Sequence, residues 1–237
     1  MVPFAGYDMP LQYRGLLPEH HAVRTTAGMF DVSHMGEFYV QGPQAEALLQ
    51  YATSNDVQKL KPGNIQYSCL PNDEGGIVDD LLVYRLSDTQ FLLVVNASNI
   101  EKDWNRLQDL NKDFGAEMQN RSDQISLLAV QGPKAVEVLQ TLTQVDLSGI
   151  PYYTFEMGEM AGIQDVLISN TGYTGAGGFE LYVANQDAER LWDAVMEAGQ
   201  KVDLVPAGLG ARDTLRMEMG FCLYGNDITD QTSPLEA

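Results

Sequence analysis

The sequence predicts an α+β fold built from two interleaved β–α halves, and three observations carry that reading. A strand, a Gln-Gly-Pro turn and a helix recur 90 residues apart, at Gln41-Gly42-Pro43 and again at Gln131-Gly132-Pro133. Two strongly apolar strand segments, 77–84 and 91–95, lie between these copies rather than after them. No low-complexity linker divides the 237 residues, a length that suits one large domain or two smaller ones with a proper core. A single short repeat argues against a solenoid, which needs several copies.

Taken in order, the first predicted helix runs over 18–29, with Leu17, His21, Val23 and Met29 as its less polar positions and Gly28 placed to end it. Residues 35–40 alternate as a strand. Pro43 then sits where the first turn of a helix over 44–52 tolerates it. The strands over 77–84 and 91–95 pair as a hairpin through a turn marked by Ser87 and Asp88, and a helix over 98–110 follows. The second copy of the motif gives a strand over 127–130 and a helix over 134–139. Strands over 165–169 and 179–183 flank a loop at 170–178. The last helices are predicted over 187–198 and 209–219, the second closed by Gly220.

Charge narrows the partners. With 33 acidic against 14 basic residues the formal net charge is −19, a surface that repels a phosphate backbone, so no nucleic acid is expected. The apolar runs are too short to span a bilayer, so no membrane partner is expected, and no basic, apolar-cored leader marks the chain for secretion. Cys69 and Cys222 lack the spacing of a metal site and the density of a secreted disulfide scaffold, which points to a reducing compartment. His20, His21 and His34 do not form a zinc pattern, so no metal is expected.

Three segments could carry chemistry. Asp79 and Asp80 interrupt an apolar strand; adjacent strand side chains face opposite ways, so if both faces are covered at least one carboxylate is buried. Such burial raises a pKa or costs several kcal/mol, although an edge strand would leave both acids wet. Between Thr171 and Gly178 lie four glycines in seven residues, a backbone able to turn sharply and approach a ligand, without the spacing of a phosphate or dinucleotide loop. Arg212 and Arg216 share a face of the last helix and could grip a carboxylate, or could simply pair with Asp213 or Glu218.

Six motifs in order resemble the glycine cleavage system T protein family, and together they cover essentially the whole chain: Met1 to Gly6, Phe30 to Met35, Gly75 to Val83, Ala129 to Pro133, Thr171 to Glu180 and Gly208 to Asp227. The resemblance implies the folate-binding aminomethyltransferase fold over 1–237, with two interleaved α/β subdomains. It implies too that the family's C-terminal β-barrel is absent after Ala237 and that a short segment is missing before Met1. The activity it implies is transfer of a one-carbon unit from the aminomethyl-dihydrolipoyl H protein to tetrahydrofolate, with release of ammonia. Tetrahydrofolate is then the co-substrate and the lipoylated H protein the partner. Asp80 matches the family's catalytic carboxylate, which puts Asp80 toward the ligand and Asp79 away from it. Glu180 matches the acid that binds the pterin, Arg212 a folate-contacting arginine, and Met35, Asn96 and Tyr173 residues of the folate pocket. Ala176 stands where the family commonly has an acid, and Tyr7 where it often has Trp. The expected location is the bacterial cytoplasm, with the mitochondrial matrix as alternative. The rival readings are another folate-dependent member of the superfamily, a demethylase or repair protein, and a fragment that binds folate without turnover.

Overall fold

The repeated Gln-Gly-Pro segment turns because its glycine adopts a conformation that side chains resist. Gly132 has φ +129°, and a Cβ there would lie 2.5 Å from the Thr26 carbonyl oxygen. A strand precedes the turn and a helix follows it, as the pattern predicts, at both copies. The computed structural model describes residues 1–237. In its first half the elements are β1 (Val2–Phe4), β2 (Tyr7–Met9), α1 (Leu16–Thr25), β3 (Gly28–Asp31), β4 (Gly36–Gln41), α2 (Ala45–Ala52), β5 (Ile65–Pro71), β6 (Ile77–Ser87), β7 (Gln90–Val95), α3 (Ile100–Asn111) and β8 (Glu117–Asn120). The second half adds β9 (Ile125–Gln131), α4 (Ala135–Leu139), β10 (Phe155–Met160), β11 (Ile163–Ser169), β12 (Gly178–Ala184), α5 (Ala188–Gly199), β13 (Val205–Pro206) and α6 (Leu209–Glu218).

These elements fall into two units that each draw on separate stretches of chain: Met1–His34 with Gln124–Phe221, and Met35–Asp123 with Cys222–Ala237. The first unit holds a six-stranded sheet in the order β10-β11-β12-β9-β3-β13, antiparallel except where β13 runs parallel to β3. On one face α4 and α5 bury Val138, Leu139, Leu191 and Val195 against Met29, Val130, Phe179 and Leu181 of the sheet. The second unit holds a five-stranded antiparallel sheet, β5-β6-β7-β4-β8. Here Leu48, Leu49 and Leu107 of α2 and α3 pack on Phe38, Val40, Leu81, Val83 and Leu93. The last residues of the chain return to this second sheet, where the Ile77 N–H donates to Thr232 O and the Asn72 amide to Asp230 O.

The expected helix over 18–29 is shorter than its pattern suggested. It stops at Thr25, and Gly28 and Met29 instead open β3, paired with Gln131 and Val130 of β9. Long-range pairing there outweighs the local helical period. The helix expected over 98–110 begins as a 3-10 turn at Ala97–Asn99 and becomes α3 at Ile100. Strands β8 and β10 carry too many polar residues to stand out from the sequence, and the alternating β5 was not among the strands expected. No helix is long and apolar enough to cross a membrane.

Gly178 sets the start of β12 at the end of the glycine-rich loop. Its φ is +129°, and an added Cβ would lie 2.2 Å from Val130 O of the neighbouring strand. Gly178→Ala is therefore expected to cost about 2–4 kcal/mol, through backbone strain and a forced shift of β12 from β9. Urea denaturation measures it; a loss below roughly 0.5 kcal/mol would mean the strand end adjusts freely.

Candidate functional site

The alternation of β6 separates its two acids. Asp79 falls in step with Leu81 and Val83, which face α2 and α3, whereas Asp80 falls in step with Leu82 and Tyr84 on the opposite face. Asp79 is completely buried and well supplied with donors. Its carboxylate accepts from the Asn96 N–H at 3.0 Å, the Asn96 side-chain amide at 2.9 Å and the Asn99 amide at 2.6 Å. Asp80 is half-buried. The same Asn96 amide reaches its Oδ1 at 2.9 Å, and the Tyr67 hydroxyl donates to its Oδ2 at 3.1 Å.

The electrostatics of Asp80 follow from this placement. Burial, and then the negative charge of Asp79, push its pKa up to about 6, against the opposing pull of the bonds from Tyr67 and Asn96. A carboxylate poised there can take up or release a proton near neutrality. The Tyr67 hydroxyl is driven well above the usual phenol range by burial and by Asp80, so it stays a hydrogen-bond donor. Met35 lies half-buried in the turn just before β4.

A second group of side chains gathers in the first unit. Glu180 on β12 accepts a short hydrogen bond from the Thr171 hydroxyl, which has only one proton to give. The Ser169 hydroxyl, 2.6 Å from Thr171, is thus placed to donate in turn. Burial raises the Glu180 pKa, while Thr171 and then the charge of Arg212 act to lower it. The Arg212 guanidinium lies over the Tyr173 ring, 5.0 Å from its centroid, and Tyr173 stacks on Phe221 with 5.9 Å between centroids and 21° between planes. The glycine-rich loop is held from below by the buried Gln131, whose amide donates to Thr171 O and whose carbonyl oxygen accepts from the Thr174 hydroxyl. Next to it opens a cavity of about 190 Å³, bounded by Tyr152, Thr171, Gly175, Met219 and Phe221 among others.

Of the residues the sequence singled out, the structure brings Asp80 together with Asn96 in one unit, and Tyr173, Glu180 and Arg212 together in the other. The paired-arginine grip does not form. Arg216 is buried and committed to Asp213, at 2.8 Å from Nε and 2.7 Å from Nη2, and to the Phe221 carbonyl. Arg212 alone is placed against the aromatic stack. Tyr67, Thr171 and Asn99 belong to these networks without having been picked out as site residues. The alternation of Ile65, Tyr67 and Cys69 with Gln66 and Ser68 was the one signal for Tyr67, and Asn99 and Thr171 gave none.

Comparison with known proteins agrees along the whole length. The family model for the GCVT N-terminal domain matches residues 1–237. An aminomethyltransferase of Flavobacterium psychrophilum is 62% identical over 237 residues, 100% of this chain and 66% of that protein. One from Bacteroides thetaiotaomicron is also 62% identical over the same span, 65% of its length. The chain thus spans about two thirds of the length of the curated relatives it matches. The crystal structure of the glycine cleavage system aminomethyltransferase T from Bartonella henselae superposes with a TM-score of 0.87 at 38% identity, over 98% of this chain and 62% of that one. A chain of the heterotetrameric sarcosine oxidase from Corynebacterium sp. U-96 shares the fold, with a TM-score of 0.59 at 17% identity, over 79% of this chain and 92% of its own. With a family match over every residue and relatives identical at well over half of their aligned positions, the chain belongs to the GCVT N-terminal domain family.

Proposed function

We propose that this chain is the folate-binding part of an aminomethyltransferase of the glycine cleavage system. In that reaction the carbon of an S–CH2–NH2 group on a dihydrolipoyl carrier protein passes to tetrahydrofolate, releasing ammonia and the free thiol. The observation that carries the reading is Asp80: a half-buried carboxylate, held by Asn96 and Tyr67, with its proton affinity raised to the range where amine chemistry needs a proton acceptor. Tetrahydrofolate, when bound, supplies the nitrogen nucleophiles that accept the one-carbon unit. Asp80 orients a nitrogen by accepting its N–H, takes up the proton it sheds, and as an anion stabilises positive charge developing on the transferred carbon.

The donor set of the first unit fits a flat heteroaromatic with an amino–amide edge and an anionic tail. Glu180 would accept from that edge, fixed in rotamer by Thr171. The Tyr173–Phe221 stack offers a planar surface, and Arg212 an anchor for a carboxylate. In the second unit this reading also assigns Met35 and Asn96 to folate binding. The partner is the lipoylated H protein and the setting the bacterial cytoplasm.

Titration of tetrahydrofolate, followed by thermal stabilisation, tests the binding half directly. Glu180→Gln is expected to weaken affinity about 10–100-fold, because an amide presents one acceptor where a carboxylate presents two. Equal affinity in the two proteins would remove Glu180 from the site. Turnover with a loaded H protein tests the chemical half. Binding without turnover would favour the reading of a folate-binding fragment, and turnover of small methylated amines the demethylase.

A further inference from the structure

His20 and Arg24 lie one helical turn apart on α1 and share the face that packs on α6. His20 is buried, with Nδ1 2.8 Å from the Thr214 hydroxyl and Nε2 3.3 Å from Glu218 Oε2. Arg24 spreads its guanidinium further. Its Nε and Nη2 donate to Glu218 Oε2 at 3.0 and 2.9 Å, Nη2 also donates to the Leu215 carbonyl at 3.1 Å, and Nη1 makes a short bond to the Thr174 carbonyl. Leu215 and Glu218 stand in the last turn of α6, where carbonyls lack helical partners and a cation is favoured. Thr174 lies in the glycine-rich loop, directly after Tyr173. One cation thus ties the helix that carries Arg212 to the loop that carries Tyr173, all within the first unit. The ion pair with Glu218 is worth little by itself, because that carboxylate is 55% exposed. The two carbonyls are what the guanidinium fork adds.

We propose that Arg24 is a positioning residue for the folate site: by holding the Thr174 and Leu215 carbonyls together it sets the Tyr173 ring against the Arg212 guanidinium. The loop needs such a tie. Gly175 and Gly177 sit at φ +67° and +75°, and a backbone so rich in glycine moves at little cost. Gln131 fixes the loop from below, through Thr171 O and the Thr174 hydroxyl, and Arg24 fixes the carbonyl of that same Thr174 from α1. Lysine could not replace it. A single ammonium on a flexible stem does not span acceptors on a loop and a helix end, as a planar fork of five donors does. Arg24 acts through Tyr173 and not on the ligand. The proposal deepens the folate reading of this site and rests on it for the identity of the ligand.

Arg24→Lys keeps the charge and loses the fork. Amide hydrogen exchange read by mass spectrometry, with no ligand present, should show peptides over 171–178 and the end of α6 exchanging at least about threefold faster, and the strands of the second unit unchanged. Titrated with tetrahydrofolate, the variant should bind about 3- to 10-fold more weakly, while turnover with a loaded H protein at saturating folate stays within about twofold of wild type. In a Tyr173→Leu background the same change should cost less than about twofold in affinity, because no ring is left to place. Arg190→Lys is the control: that arginine also donates to a backbone carbonyl, Ala161 O at 2.8 Å, and its loss should leave affinity unchanged. Unaltered exchange over 171–178 overturns the proposal. So does faster exchange with wild-type affinity, which would make Arg24 a structural tie alone, or an equal loss of affinity in the Tyr173→Leu background. If exchange follows expectation while the wild type binds no tetrahydrofolate, the placement of Tyr173 by Arg24 stands and the folate reading falls.

Discussion

Asp80→Asn is expected to lower turnover by about 10²–10⁴, the usual worth of a positioned proton acceptor, while leaving the fold intact. The substitution is close to isosteric, and the two neighbours can adapt. Asn96 still finds a carbonyl oxygen, and the Tyr67 hydroxyl, now a donor to Asp80 at 3.1 Å, can rotate to accept from the new amide. What disappears is the charge and the capacity to hold a proton. In the wild type the same group predicts the pH profile: with a pKa near 6, Asp80 is ionised above that value and the rate should fall about tenfold per unit on the acid side. The stability should move the other way. Asp80 binds its proton more tightly folded than unfolded, so its contribution is full below the unfolded carboxylate range and is lost as pH rises through about 6. The Asn variant, neutral throughout, should therefore be at least as stable as the wild type above pH 6 and lose that advantage below pH 4. Thermal unfolding at pH 4 and pH 7.5, set beside turnover, reads both effects. A variant that is unstable at pH 7.5 would make Asp80 a structural acid rather than a reacting one.

How much of this was legible in the sequence depended on how far each signal had to reach. The β4–α2 and β9–α4 units were readable because a glycine-proline turn and a helical start lie within a few residues of an apolar strand. The Asp79–Asp80 pair was visible as a break in the apolar pattern, but the period alone could not say which carboxylate faced the helices. That was decided by Leu81 and Val83, whose partners lie on α2, α3 and distant strands. The arginine face was visible too, yet only tertiary structure could commit Arg216 to Asp213 and the Phe221 carbonyl and leave Arg212 against Tyr173. Nothing in the local pattern of α3 distinguishes the completely buried Asp103 from a solvated first-turn acid.

Glu19 was equally silent in the sequence, and its removal should produce one of the largest losses of stability in the molecule. This residue of α1 is fully buried, and its Oε1 accepts the backbone N–H groups of Tyr13 and Arg14 at 2.6 Å and of Gly15 at 3.1 Å. Its Oε2 accepts the Gly208 N–H at 2.9 Å, immediately before α6. One carboxylate thus satisfies the donors at the starts of two helices, where the backbone offers unpaired N–H groups and a favourable field for an anion. The chain before α1 is tied to the same place, since Leu209 and Gly210 donate to the carbonyls of Pro10 and Leu11. Glu19→Ala leaves four N–H groups without that acceptor, and a cost of about 3–5 kcal/mol follows, less than the sum of four bonds because water will enter. Glu19→Gln keeps the size and one acceptor but turns an N–H toward a second donor, so about 2–3 kcal/mol is expected. Urea denaturation of both variants checks the order as well as the size; equal losses would show that volume, not acceptor count, is what the site requires. A functional consequence accompanies the structural one. The Arg212 N–H donates to Gly208 O, so the residue that Glu19 anchors opens the turn that carries Arg212 to the Tyr173 ring. Glu19→Gln should therefore weaken folate binding several-fold, though Glu19 is itself completely buried, whereas a destabilising core change such as Leu49→Ala in the other unit should lower stability and leave affinity alone. That contrast distinguishes a loss of positioning from a general loss of fold.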